Sequence, residues 1–146
     1  MELLNRLIRA LTELHPLHPM LVHFPIGLTG ASCFFILLAL WRKSPLLEQI
    51  AFANISLATI ATMAAGITGI RDNIVNYEGQ APNAGLKIVL ASLLLSVTTI
   101  TSLLRWRNPD VFEKQPIRWL YVSAYGISFG LAIVLGFLGG VILYGF

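Results

Sequence analysis

The sequence predicts an all-α protein: an integral membrane four-helix bundle with an N-terminal amphipathic interfacial helix. Three observations carry that reading. Hydrophobic residues make up 56 % of the chain and charged residues only 12 %, where a soluble domain is nearer a quarter charged. A hydrocarbon layer about 30 Å thick asks for roughly 20 apolar residues per helix. Four stretches supply them, at residues 20–41, 51–70, 86–104 and 119–144. Each is continuously apolar rather than alternating over about 10 residues, which argues against a membrane β-barrel. The organisation is then an interfacial helix over 1–14 and a four-span domain over 15–146.

The opening segment "MELLNRLIRALTEL" places Leu3, Leu4, Leu7, Ile8, Leu11 and Leu14 on one helical face. Glu2, Asn5, Arg6, Arg9 and Glu13 fall on the other. That is the spacing of a helix lying in a membrane interface, or docked by its apolar face on a partner. The segment that follows, "HPLHPMLVHFPIGL" at 15–28, holds all three histidines of the chain. Residues before proline are pushed towards extended backbone, which restricts His15 and His18. Pro19 suits the first position of a helix. Pro25 lacks an N–H and frees the carbonyl of Leu21, so the first span either kinks there or begins there.

Span two contains "ATMAAGITGIRD", with Ala61, Ala65 and Gly69 four residues apart. Span four repeats the device with Gly126 and Gly130, then Gly136 and Gly140. Small residues at this spacing let membrane helices approach closely, and tight bundle packing is expected from both. The segment "RDNIVNYEGQAPNAG" reads as a polar, turn-rich loop between spans two and three. "RWRNPDVFEKQPIR" is the basic loop between spans three and four.

The net charge is +3, yet the ten basic residues sit singly or in pairs at span ends, so no nucleic-acid surface is expected. Arg6, Arg9, Arg71 and Lys87 fall on one membrane face; Arg42, Lys43, Arg105, Arg107, Lys114 and Arg118 fall on the other. The positive-inside rule then puts both termini outside the cytoplasm. The first apolar segment starts after a 19-residue lead and has no small-residue cleavage site, so it is not expected to be a cleaved signal. Cys33 is the single cysteine and lies within the first span.

An ionisable side chain in a span is a functional candidate by default. On a helix begun at Pro19, His23, Gly27, Gly30, Ala31 and Phe34 share one stripe, so His23 is expected to point along a small-residue groove rather than at lipid. Ala65, Gly69 and Asp72 share a stripe on span two. Asp72 is placed there to accept a hydrogen bond from an imidazole and fix its tautomer, or to pair with Lys87 or Arg71. His15 is expected at the interface, and His18 and His23 are the ligand candidates.

Three cofactor readings follow. Haem b uses axial histidine, but spans two to four carry no second histidine. Met20 or Met63, an open position, or a symmetric partner would have to complete the site. A quinone or chlorin needs only one imidazole, and the Gly27 and Gly30 groove would admit it. Zinc or copper on His15, His18 and His23 has an uncommon spacing and no accompanying HExxH or CxxC. No catalytic constellation is recognisable, and span interiors that hold no charge, only Asn54 and scattered Ser and Thr, argue against a transport pathway.

"HPLHPMLVHFPIGL", "AAGITGIRD" at 64–72 and "GFLGGVILYG" at 136–145, in that order, resemble the DUF2231 family of small predicted bacterial membrane proteins. The resemblance implies a four-span bundle in the bacterial inner membrane and, through relatives fused to c-type cytochrome domains, an association with membrane electron transfer. Its motif histidines correspond to His15, His18 and His23, and its acidic residue after span two to Asp72. Many relatives carry a further histidine near the start of span three, where this chain has "NAGLKIVLA" with Lys87, and another beyond the final tyrosine, where this sequence ends at Phe146. The expectation is a subunit of a redox or energy-converting complex holding a haem, chlorin or quinone at His18 or His23. The alternative is a cofactor-free scaffold that binds other membrane subunits or its own copies.

Overall fold

The computed structural model describes residues 2–9 and 17–144. Among them every regular element is a helix: α1 (Glu2–Arg9), α2 (Leu17–Leu21), α3 (His23–Arg42), α4 (Pro45–Tyr77), α5 (Ala84–Arg107) and α6 (Ile117–Tyr144). Four stretches are long and apolar enough to cross a membrane: His18–Arg42, which takes in most of α2 together with α3; α4; α5; and α6 up to Val141. Helices α3, α4, α5 and α6 contact one another in a closed ring, α3 against α4 and α6, and α5 against α4 and α6. With short connections this is an up-down-up-down bundle. The start of α2, the end of α4 and the start of α5 therefore share one end, and the end of α3, the start of α4, the end of α5 and the start of α6 share the other.

Local chemistry sets the boundaries. The stretch from α2 to α3 breaks at Val22, three residues before Pro25, and α3 begins at His23, so a new helix starts near Pro25 and carries it in its first turn. Val22 keeps helical angles, φ −66° and ψ −21°, and its N–H still donates to the His18 carbonyl at 3.0 Å. The interruption is a slackened turn, as expected where proline withholds the N–H that Leu21 would receive.

Helix α4 starts on a Ser44 cap with Pro45 at the first position, and Leu47 N–H donates to Ser44 Oγ at 3.5 Å. It then runs through "RDNIVNY", which the sequence assigns to a loop; the chain turns only at Glu78 and Gly79, whose φ values are 51° and 80°. Polar residues one helical turn apart, Asp72 and Asn76, bond each other on this extension and stand in for apolar periodicity. At 33 residues α4 is about 50 Å long, well beyond the hydrocarbon thickness, so its polar end projects past the bilayer.

The bundle is unevenly packed along its length. Ile36, Ala51, Ile55, Val111, Tyr121, Val122 and Tyr125 form the buried cluster, with Phe35, Leu40, Phe52, Leu104, Phe112 and Ile117 against it, all near one end. Val111 belongs to the α5–α6 connection and is fully buried, so that loop folds into the core. Elsewhere, Leu94 and Asp72 apart, the buried positions are mostly small or hydroxylic: Thr29, Ser32, Thr62, Thr98 and Ser128 return their hydroxyls to carbonyls three or four residues back on their own helices. Lipid gives no hydrophobic force between helices, so close contact at small residues is what holds this half.

Glycines make that contact at some predicted positions only. A methyl group at Gly30 would meet the Phe129 ring at 3.1 Å, and one at Gly136 would meet Ile26 Cδ1 at 3.0 Å. Gly126 and Gly130 have open space around them and are exposed, so these two are not packing devices within the chain.

Candidate functional site

Among the described residues His18 is the histidine that the fold brings against another span. Its Nδ1 lies 3.0 Å from the carbonyl of Ala65 on α4, and Thr68 Oγ1 is 3.5 Å from the same nitrogen. A carbonyl can only accept, so Nδ1 carries the proton and Nε2 keeps its lone pair. The ring fits because residue 69 is glycine: a methyl group there would stand 2.8 Å from His18 Cε1 and 3.1 Å from Nδ1. The small-residue stripe Ala65, Gly69 on span two is thus the seat of the imidazole.

Asp72 does not take the role expected of it. The hydrogen bond from His18 goes to the Ala65 carbonyl, and the buried Asp72 carboxylate accepts from Asn76 Nδ2 at 2.5 Å. Among the described residues Asp72 forms no ion pair with Lys87 or Arg71. Asp72 and the half-buried Lys87 of α5 remain within electrostatic range of the His18 ring, so the site is an imidazole flanked by one carboxylate and one ammonium.

His23 faces outward, which corrects the expectation of a sheltered groove. The residue is exposed, as are Gly27 and Phe34 on its stripe, and nothing lies within 4 Å of a methyl group placed at Gly27. Gly30, by contrast, is taken up by Phe129. The physical reason is the position of α3 in the ring: its inward face is Pro25, Thr29, Ser32, Ile36 and Ala39, leaving the His23 stripe on the outside. His23 Nδ1 is 2.6 Å from the Pro19 carbonyl, one turn back, so it too carries its proton on Nδ1 and presents Nε2.

His18 and His23 point in different directions, and Met20 and Met63 are exposed. No group of three His, Cys, Asp or Glu side chains arranged for a metal ion occurs among the described residues. His15 lies outside them. The described residues therefore offer two separate imidazole nitrogens rather than one chelating set.

A second cluster, unforeseen in the sequence, occupies the other end of the bundle. Glu48, only 3 % exposed, accepts from Arg105 Nε at 2.6 Å and Arg105 Nη2 at 2.9 Å in a bidentate pair. Tyr121 Oη donates to Glu48 at 2.8 Å, and the Tyr125 hydroxyl is 2.5 Å from that of Tyr121. Since the Tyr121 proton points to the carboxylate, Tyr125 is the donor of the second bond. Arg105 also lies over the Phe52 ring, 5.5 Å from its centre. Both partners sit just outside the apolar windows but inside the longer helices α4 and α5, so the charge-free interiors expected of the spans do not point to them. The Ser44-Pro45 start signal would have placed Glu48 in the first turn of α4; nothing local marks Arg105 as its partner, 57 residues on.

These elements, in this order, match the family described as predicted membrane protein (DUF2231), over residues 14–146. The chain belongs to the DUF2231 family. The family description and the four apolar helices make it a multi-pass membrane protein embedded in a lipid bilayer. Searches of curated proteins and of solved structures find no match to this DUF2231 chain.

Proposed function

We propose that this DUF2231 protein is a subunit of a redox or energy-converting complex in the bacterial inner membrane, holding a haem, chlorin or quinone at His18, with His23 as a second, outward contact. The observation that supports this reading most is the shared state of the two imidazoles: each spends its Nδ1 proton on a backbone carbonyl and leaves Nε2 available. Ligating histidines are oriented by such a second bond. Gly69 and Ala65 hold the His18 ring in place, and Asp72 and Lys87 supply opposite charges beside it. When bound, such a group would supply one-electron or electron-plus-proton transfer. The chain's own residues would orient it, and His18 Nε2 would coordinate a metal centre or accept the proton of a quinol hydroxyl.

In this reading α1 lies in the headgroup region on the non-cytoplasmic side, and both termini share that side. Absorption spectroscopy and quinone extraction on protein purified from its native membrane test it. A Soret or chlorin band, or a stoichiometric quinone, that is lost in His18→Ala supports the reading; none of these in the native protein contradicts it. The scaffold reading has its own support in Gly27, Gly126 and Gly130, which are exposed and have open space around them, as close-contact helix partners require. It predicts co-purification with other membrane subunits, or with further copies of the chain, and no bound chromophore.

A further inference from the structure

The chain's three tryptophans, Trp41, Trp106 and Trp119, lie at the end of α3, the end of α5 and the start of α6, so all stand at one end of the bundle. All three are strongly exposed, at 73 %, 74 % and 56 %. The same end carries Arg42, Lys43, Arg107 and Arg118. None of these four has a carboxylate within ion-pair distance among the described residues, since Glu48 is engaged by Arg105 and Asp110 by Lys114. Arg42 lies 4.8 Å above the Trp41 ring and Arg118 5.3 Å above the Trp119 ring. The sole remaining acid there is Glu113.

Exposed indoles at helix ends mark headgroup depth, and cations at that depth meet phosphates. The Glu48, Arg105, Tyr121 and Tyr125 knot makes this more than scattered charge: it ties α4, α5 and α6 together where the collar begins, so Arg107 and Arg118 are carried on joined helix ends. We propose that this end is a binding collar for anionic glycerophospholipids, with Arg42, Lys43, Arg107 and Arg118 on the phosphates and the tryptophans on the glycerol and upper acyl region. The collar selects for headgroup charge and places this end in the anionic leaflet.

Native mass spectrometry of the full chain, competing phosphatidylglycerol against phosphatidylcholine of identical acyl chains, tests this. One surface cation is worth about a fivefold preference. Wild-type protein should therefore retain the anionic lipid by roughly tenfold or more, and the combined variant Arg42→Gln, Lys43→Gln, Arg107→Gln should fall towards parity. Arg42→Lys with Arg107→Lys should keep the preference, and Arg71→Gln, at the opposite end, should leave it unchanged. Equal retention of the two lipids by wild type overturns the proposal, as does a preference that survives undiminished in the triple glutamine variant. Displacement of phosphatidylglycerol by millimolar inorganic phosphate also overturns it, by assigning the cations to a free anion.

Discussion

At the scale of single residues, Gly69 and Glu48 matter most, for opposite reasons. Gly69 has importance through the atoms it lacks: a methyl group would stand 2.8 Å from His18 Cε1, so Gly69→Ala must move the imidazole or the helix. Overpacking of this kind costs about 1–3 kcal/mol. Thermal unfolding in detergent should register that loss, and faster acylation of His18 by diethylpyrocarbonate should show the ring released. Glu48 matters through what it binds. Removing one member of a buried ion pair costs about 3–5 kcal/mol, because the other is left charged and unpartnered. Glu48→Ala is therefore expected to lose that much in denaturant titration in mixed micelles, and pairing it with Arg105→Met should recover part of it. Full additivity of the two losses would show that the bidentate pair is not coupled. The sequence shows unequal parts of these two sites. His18, Ala65 and Gly69 stand out as a histidine motif and a small-residue stripe, but the acceptor of the His18 bond is a backbone carbonyl, which no residue type announces. Glu48 and Arg105 are each visible, yet only the bundle brings residues 57 positions apart into contact.

At the scale of elements, the α2–α3 break and the α5–α6 connection are the parts with a testable conformation. Pro25 withholds the N–H that would bond Leu21, and the chain slackens at Val22. Pro25→Ala restores that donor; slower amide exchange around Leu21 to Ile26 and a shifted His18 ring resonance are the expected outcome. In the α5–α6 connection the Lys114 ammonium bonds the exposed Asp110 carboxylate and, together with a backbone hydrogen bond, holds its pKa below the usual aspartate range. A depressed carboxylate contributes stability above its unfolded-state pKa and loses it as pH falls through the lower folded value. An NMR titration should therefore place the Asp110 midpoint below that of a free aspartate, and Lys114→Met should raise it. The elements themselves were mostly legible, since unbroken apolar runs leave little choice but helices in lipid. The polar end of α4 was not, because "RDNIVNY" has loop composition and is helical through its Asp72 and Asn76 bond and its continuity with the span.

At the scale of the whole molecule, the bundle has an aromatic end and a histidine end. The aromatic end gathers the buried cluster, the Glu48 knot and the tryptophans. The histidine end holds His18, Asp72 and Lys87 on helices packed through small residues. The even number of spans was enough to place the histidine motif, Asp72 and Lys87 on one side from the sequence, but the outward face of His23 depends on how α3 is rotated in the ring. Apolar residues on every side of α3 left that rotation undetermined. Cysteine accessibility in a Cys33→Ser background should find a label at Asn83 on the same side as one at Glu2, and a label at Asn108 on the opposite side.

The central claim is that the seat of His18 on α4 is a cofactor site, and its most direct test is cofactor content in native-membrane protein, measured side by side for wild type, Gly69→Ala and His18→Ala. The account predicts a visible band or stoichiometric quinone in wild type, reduced or shifted in Gly69→Ala and absent in His18→Ala. A wild-type protein free of both, or a content unchanged across all three, would contradict it.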